Sequence, residues 1–148
     1  MIVSEAHCSV EFHPNWPLSE ARGPDEGSVS QSLGDSGGAV FLRYGPSSEL
    51  EPYIESWRAR YGDGAQVIAD HRVVTRDGLE GRGIGLALDE EVTSLLGDSR
   101  EVTPAQTLMC NGFTIESVPV IVGYLTPQST DPGLVAAAEA ILASLSVR

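Results

Sequence analysis

The run VPVIVGYL at residues 118–125 is almost wholly apolar, which makes it the strongest strand signal in the chain. An apolar run of this length is typical of a buried strand at the centre of a sheet. Pro119 cannot donate a ladder hydrogen bond, so we expect it at the start of the strand or at a bulge. Asp131 followed by Pro132 has the pattern of a helix N-cap and first helical position. The C-terminal part therefore predicts a central strand followed by a terminal helix.

Further strands are predicted upstream of this central one. They cover residues 66–74, 83–88, 105–111 and 113–115. Asp77-Gly78 turns the first of them back into the second. Asn111-Gly112 predicts a hairpin turn between the last two, because Asn-Gly is a strong signal of a two-residue turn. Residues 89–100 are acidic and predict an irregular segment.

The N-terminal part predicts strands at residues 7–12, 28–33 and 39–44. Pro14 and Pro17 end the first strand, since prolines this close together prevent regular hydrogen bonding. The polar segment 18–27 predicts turns, and residues 35–38 predict the turn of a hairpin.

Residues 48–61 predict an amphipathic helix. Its apolar residues recur at helical spacing, and they are Leu50, Tyr53, Ile54, Trp57 and Tyr61. Ser48 with Glu51 three positions later has the pattern of a capping box. Gly62 and Gly64 are expected to end the helix. A stripe with three aromatic side chains is typical of a helix that packs on a core.

The resulting order is β-β-β-α-β-β-β-β-α, which indicates the α+β class: an antiparallel β-sheet flanked by two helices. A length of 148 residues fits a single domain over residues 1–148.

Four features of the sequence resemble those of a known protein family. They are an early strand leading to Pro14-Asn15-Trp16, a helix with Tyr53 and Trp57, a strand pair around Val73 to Gly81, and the run from Val120 to Thr126 before a helix ending Ala143-Ser144-Leu145. In their order and lengths these features resemble the PsbP superfamily, which includes the DcrB-type bacterial proteins and a Ran-binding nuclear import factor.

The resemblance implies a PsbP-like sandwich and a binding or assembly protein rather than an enzyme. Members of the superfamily dock on photosystem subunits and on a small GTPase. One branch consists of soluble cytosolic chaperones, often dimeric, which hold the transmembrane segments of type VI secretion effectors. This chain departs from those chaperones in its alanine- and glycine-rich character, so no family residue is carried over as functional.

The charge of the chain excludes several partners. Its net charge is −12, and all nine basic residues are arginine. Nucleic acid and anionic membrane surfaces are therefore poor partners. No apolar stretch is long enough to span a membrane, and the start lacks the pattern of a signal peptide. We expect cytoplasmic residence, with Cys8 and Cys110 reduced; a disulfide between them is the alternative in an oxidising compartment.

The run GDSGGAV at residues 34–40 resembles the nucleophile segment of chymotrypsin-like serine proteases. The residues around His7 resemble the segment of their catalytic histidine. Only 29 residues separate His7 from Ser36, however, and a barrel cannot form in that interval. A turn between two strands explains the run better. A hydrolase using Ser36 remains an alternative, with His7, His13 or His71 as base, and it requires a histidine within hydrogen-bond reach of Ser36.

No other pattern predicts a catalytic, metal or cofactor site. Strand alternation places His7 and Cys8 on opposite faces, and His13 lies far along the strand. The run GLEGRGIG at residues 78–85 evokes a phosphate loop, but it lacks the P-loop lysine and a following helix. Flexible hairpin glycines explain it better. Residues 89–91 are acidic without the ligand spacing of a calcium loop.

The function predicted on these grounds is that of a non-catalytic cytosolic adaptor or chaperone, without a cofactor. We expect a homodimer that binds a protein partner, such as an apolar peptide or helix, on an uncovered face of the sheet. Trp16 and Phe113 are the first candidates for exposed partner-binding residues. Besides the hydrolase, a structural component of a larger assembly is a further alternative.

Overall fold

The computed structural model describes residues 1–94, 97 and 99–148, with Ser94 described by its backbone alone. The strands are β1 (Ile2–Glu5), β2 (Cys8–Glu11), β3 (Leu18–Arg22), β4 (Gly27–Ser32), β5 (Ala39–Tyr44), β6 (Ala65–Val74), β7 (Glu80–Leu88), β8 (Glu91–Ser94), β9 (Arg100–Thr103), β10 (Gln106–Ile115), β11 (Val118–Pro127) and β12 (Ser146–Val147). The helices are α1 (Leu50–Tyr61) and α2 (Pro132–Ala143), and short 3-10 turns lie at Pro46–Ser48 and Gly62–Gly64. The predicted α+β class is confirmed.

Within these residues, a seven-stranded antiparallel sheet has the order β3-β4-β5-β11-β10-β7-β6. A three-stranded sheet, β1-β2-β12, and the ribbon β8-β9 complete the strand pairing. β11 is the middle strand, as its apolar sequence predicts. Val120, Ile121 and Val122 are all fully buried, although their side chains point alternately to opposite faces.

The large sheet therefore carries a core on each face. On one face α1 packs against Ile84, Leu86, Leu88, Leu108, Cys110 and Ile121. On the other face α2 and the small sheet bury Cys8, Val10, Phe12, Val40, Leu42, Val120, Val122, Ala138 and Leu142. The expectation that one face is left uncovered is wrong for the middle of the sheet. Free surface remains at the β6 side.

The turn predicted at Asn111-Gly112 is wrong, because β10 runs without interruption through both residues. The hairpin turns instead at Glu116 and Ser117, whose φ angles are 50° and 66°. Gly112 has a packing role: a Cβ added to it would lie 2.6 Å from the Cβ of Leu50 on α1. The glycine is needed for the close approach of a helix to the strand.

The helix start and several short strands also differ from prediction. Glu49 is the N-cap of α1 and makes no side-chain cap bond, while Ser48 is buried in the preceding 3-10 turn. β1, β3 and β12 were not predicted, and residues 89–100, predicted as irregular, contain β8 and the first residue of β9. The pairs Leu88–Gln106 and Glu91–Thr103 keep one register, so β8-β9 continues the β7-β10 ladder. The remainder of that segment, Leu95, Leu96 and Asp98, lies outside the described residues.

The other turn and cap predictions are confirmed. Residues 35–38 connect β4 to β5, and Pro119 lies at the start of β11. Gly62 ends α1 with a φ of 55° and donates its N–H to the carbonyl of Arg58. Asp131 caps α2 by accepting a hydrogen bond from the N–H of Gly133.

Replacing Ser117 with glycine is expected to raise the free energy of unfolding by about 1 kcal/mol, because an L-residue in the left-handed region pays roughly 1–2 kcal/mol that glycine does not. The matched control is Thr114→Gly at an exposed position of β10, which is expected to lower that free energy by about 0.5–1 kcal/mol. Urea denaturation followed by circular dichroism measures both. A loss of stability at Ser117 as large as that at Thr114 would contradict the assigned turn.

Candidate functional site

A cleft of about 480 Å³ lies between α2 and the edge strand β6. Its volume falls within the range of about 300–1,000 Å³ that is usual for binding pockets. The apolar and aromatic lining residues are Val73, Val74, Met109, Phe113, Tyr124, Leu142, Ala143 and Leu145. The polar ones are His71, Arg72, Thr75, Asn111 and Glu139. The cleft thus offers an apolar surface with a few polar groups at its rim.

Three glycines of β7 leave the floor of the cleft without side chains from that strand. Gly81, Gly83 and Gly85 occupy every second position of the strand and therefore share one sheet face. A Cβ at Gly83 would lie 2.8 Å from Oδ1 of Asn111, and a Cβ at Gly85 would collide with the sulfur of Met109. Side chains from β10 consequently lie across β7 instead of being pushed off it.

Gly83 and Gly85 lie in the strand predicted at residues 83–88, and the description of this run as flexible hairpin glycines applies only to Gly78. Gly83 and Gly85 are buried inside β7, while the turn before the strand contains Gly78, with a φ of 86°. The signal available in the sequence was the spacing of two, which places successive glycines on one face of a strand.

A buried tyrosine fixes the helix side of the cleft. The hydroxyl of Tyr124 on β11 donates a 3.3 Å hydrogen bond to the carboxylate of Glu139 on α2. Burial raises the pKa of Tyr124 to about 12, and the negative charge of Glu139 adds to this shift. The phenol therefore stays protonated and keeps its hydrogen bond over the physiological pH range.

Phe113 lies in the floor of the cleft and is 8% exposed. The expectation that it is an exposed residue is therefore wrong. The absence of a side chain at Gly81 lets the phenyl ring lie against β7, where a Cβ would collide with it. A contact of Phe113 with a partner stays a prediction, limited to the part of the ring that borders the cleft.

Trp16 is half-buried in a loop whose backbone is hydrogen-bonded to the side chain of Gln31. The buried Gln31 amide donates to the carbonyls of His13 and Trp16 and accepts from the N–H of His13. The indole stacks on the His13 ring, with 4.0 Å between ring centroids. These contacts explain the order of the loop without a partner.

The structure does not bring the two predicted partner residues together. Trp16 and Leu134, which lies in the first turn of α2, both border Gly34. The cleft instead reaches Leu142 and Ala143 at the other end of that helix. Trp16 and Phe113 are therefore not parts of one continuous surface.

Ser36 has a structural role in the turn between β4 and β5. Its hydroxyl donates a 2.6 Å hydrogen bond to the carbonyl of Leu33 and accepts one of 3.1 Å from the N–H of Gly38. No histidine is among its hydrogen-bond partners in the described part of the chain. The geometry required by the hydrolase alternative is not present.

Cys8 and Cys110 are both free and buried, and they belong to the cores on opposite faces of the sheet. Burial raises the pKa of the Cys8 thiol to about 11 and that of Cys110 to about 12. Neither thiol has the exposure or the low pKa of a reactive cysteine. Among the residues described, no cluster of three or more His, Cys, Asp or Glu side chains could hold a metal ion.

A wider groove of about 920 Å³ lies at the N-terminal end of α1. Its rim carries Glu49, Glu51, Glu55 and Glu80, and Arg82 in its wall is ion-paired with Glu51. Its apolar lining residues are Leu50, Pro52, Phe113 and Pro119, so the four glutamates equal them in number and make this groove acidic. The cleft at β6 has eight apolar or aromatic lining residues and a single carboxylate, that of Glu139, so it is the better candidate site for an apolar ligand.

No protein-family model matches the chain, and no curated protein matches it in sequence. Solved structures match it in fold. The cyanobacterial PsbP protein (CyanoP) of Synechocystis sp. PCC 6803 aligns over 100% of this chain and 92% of its own, with a TM-score of 0.61 and 11% identity. The fold is PsbP-like.

A protein of Bacteroides thetaiotaomicron VPI-5482 aligns with 96% of this chain at 12% identity and a TM-score of 0.46, and the chain spans 45% of its length. The resemblance predicted from the order of elements is confirmed at the level of fold by the cyanobacterial protein. Within the described residues, neither helix is long and apolar enough to cross a membrane.

Raising the pH above 9 is expected to lower the free energy of unfolding. Tyr124 has a pKa of about 12 when folded and an ordinary value of 10.0 when unfolded, so its stabilising contribution is complete below pH 10 and is lost as the pH approaches 12. Burial also raises the pKa of the Cys8 and Cys110 thiols above their ordinary value of 9.0, so their ionisation in the unfolded chain lowers the free energy of unfolding as well. Urea titrations at stepped pH should give Tyr124→Phe a shallower decline above pH 10 than the parent chain. Equal slopes would contradict the assigned role of Tyr124.

Proposed function

We propose that this protein is a non-catalytic protein-binding module, an adaptor or chaperone, that works as a cytoplasmic homodimer. It holds an apolar segment of a partner protein in the cleft between α2 and β6. The observation that carries the proposal is the apolar lining of that cleft, which includes Met109, Phe113 and Leu142. A concave apolar surface with a polar rim is characteristic of a site that takes apolar side chains.

The width of the cleft favours a single helix as the occupant. β10 and β7 lie between β11 and β6 in the sheet. With strands about 4.8 Å apart, the floor is about 10–14 Å wide, which matches the diameter of one helix, about 10–12 Å. The apolar face of the partner helix would rest on the floor and its polar face would point to solvent.

The charge of the chain favours a partner with basic flanking residues. The net charge of −12 attracts cationic segments and repels acidic ones. Glu139 supplies a carboxylate at the cleft itself. Cytoplasmic residence is supported by the two free thiols, which lie on opposite faces of the sheet and cannot pair.

Binding is tested with a fluorescein-labelled amphipathic peptide of leucine, alanine and arginine, followed by fluorescence anisotropy. Ala143→Trp places an indole in the cleft and is expected to weaken binding at least about tenfold. Ala136→Trp is the matched control, because this exposed residue of α2 does not line the cleft.

Three results would contradict the proposed binding site. They are no binding of the peptide, equal loss of affinity in both tryptophan variants, and undiminished binding of a peptide whose leucines are replaced by aspartate. Circular dichroism of each variant checks that the fold is retained.

A further inference from the structure

β6 is an edge of the large sheet, and no strand of the described residues pairs with its outer side. The strand is 10 residues long, contains no proline, and leaves Val67, Ile68 and Val74 exposed at 48%, 54% and 52%. A long edge with exposed apolar side chains is a site at which a sheet adds another strand. The opposite edge, β3, is five residues long and lies between Pro17 and Pro24, which shortens the available ladder.

The outward-facing backbone groups of β6 follow from its pairing with β7. The N–H of Thr75 donates a 2.9 Å hydrogen bond to the carbonyl of Leu79, so the backbone N–H and C=O groups of Thr75 point toward the β7 side. In an antiparallel ladder the backbone N–H and C=O groups of every second residue point to the same side of the strand. Counting back from Thr75, the residues whose N–H and C=O groups point outward are Val74, Arg72 and Asp70.

The chemistry of this edge is nearly palindromic about His71. A two-fold axis at His71 places every residue opposite one of a matching kind. The regular pairs are Asp70 with Arg72 and Ala69 with Val73 of the second copy, and Ile68 at the bulge comes near Val74. Opposite charges and apolar pairs on facing strands stabilise the pairing of two strands.

The neighbouring registers lack this complementarity. An axis at Asp70 or at Arg72 also pairs outward-facing residues, but it puts like charges directly opposite each other. A shift of the pairing register by one residue places the outward-pointing backbone groups of one copy opposite residues of the other copy whose groups point inward, so the ladder of hydrogen bonds cannot form. The bulge between Val67 and Ala69 ends the regular ladder on one side. The regular pairing is therefore confined to residues 69–73, because Val74 would lie opposite Ile68 in the bulge.

We propose that a second copy of this chain adds its β6 antiparallel to β6 of the first, with the two-fold axis at His71. This inference rests on the proposed homodimer and names its interface. Within one copy, Arg82 binds Asp70 at 2.8 Å and Arg72 binds Glu80 at 2.5 Å. Pairing of the edges links these ion pairs into one network across the axis, because Arg72 of each copy lies opposite Asp70 of the other.

The pairing also completes the cleft. The axis is perpendicular to the sheet, so the α2 helices of both copies lie on the same side of a continuous sheet. β6 then lies inside a joint floor instead of at its rim, and each copy contributes His71 and Val73 to the middle of a groove that the two α2 helices bound. The dimer thereby converts two short clefts into one longer site.

Cysteine cross-linking tests the register. At the axis the two His71 residues form a pair without ladder hydrogen bonds, whose Cα atoms lie about 4.5 Å apart, within disulfide range. His71→Cys is expected to give a covalent dimer under mild oxidation. Gln66→Cys is the control, because this exposed residue of β6 would lie about 33 Å from its counterpart. The native cysteines are buried and do not interfere.

Charge reversal tests the complementarity, with light scattering as the readout. Arg72→Asp puts an aspartate opposite Asp70 of the other copy and is expected to abolish the dimer. A dimer that His71→Cys fails to cross-link, or that Arg72→Asp leaves intact, would overturn the edge pairing while the proposed homodimer stands. A monomer at every concentration would overturn both. Peptide binding to the cleft is measured separately and decides the partner proposal.

Discussion

Burial of β11 on both faces is the constraint on which the rest of the structure depends. Val120 and Val122 need cover on one side and Ile121 on the other, and each fully buried aliphatic side chain contributes about 1.5–3 kcal/mol. A middle strand of this kind requires a neighbouring strand at each edge and a layer over each face. β5 and β10 supply the edges, α1 covers one face, and α2 with the small sheet covers the other.

The same constraint decides where the protein can interact. Because the cover is concentrated over the middle of the sheet, the apolar surface left free lies toward β6. There β7 contributes glycines without side chains to the floor of the cleft, and α2 does not cover the edge strand. The cleft and the free edge are thus two parts of one region, which the proposed homodimer would join into one groove. The turn that contains Ser36 lies elsewhere, between β4 and β5.

The sequence predicts the parts of this fold that depend on local patterns. The apolar run of β11, the stripe of α1 and the cap at Asp131 are local, and all are confirmed. The short strand β12 was not predictable, because its partners Cys8 and Ser9 are distant in sequence. β1 and β3 pair with the next strands, β2 and β4, but they are only four and five residues long, and the turn after β1 is formed by Ala6 and His7 rather than by residues typical of turns. Asn111-Gly112 was misleading because Gly112 is required by the contact of Leu50, which is far away in sequence. The cleft was predictable only in its glycine spacing, since α2 and β6 meet through tertiary packing.

Hydrogen–deuterium exchange across a range of protein concentrations tests the central claim, that β6 is an interface between two copies, most directly. The amides of Asp70 and Arg72 point outward and have no strand partner within the described chain. The account predicts slow exchange of these amides at high concentration and fast exchange on dilution, while amides of β11 stay protected throughout. Fast exchange of the outward amides at every concentration would contradict it.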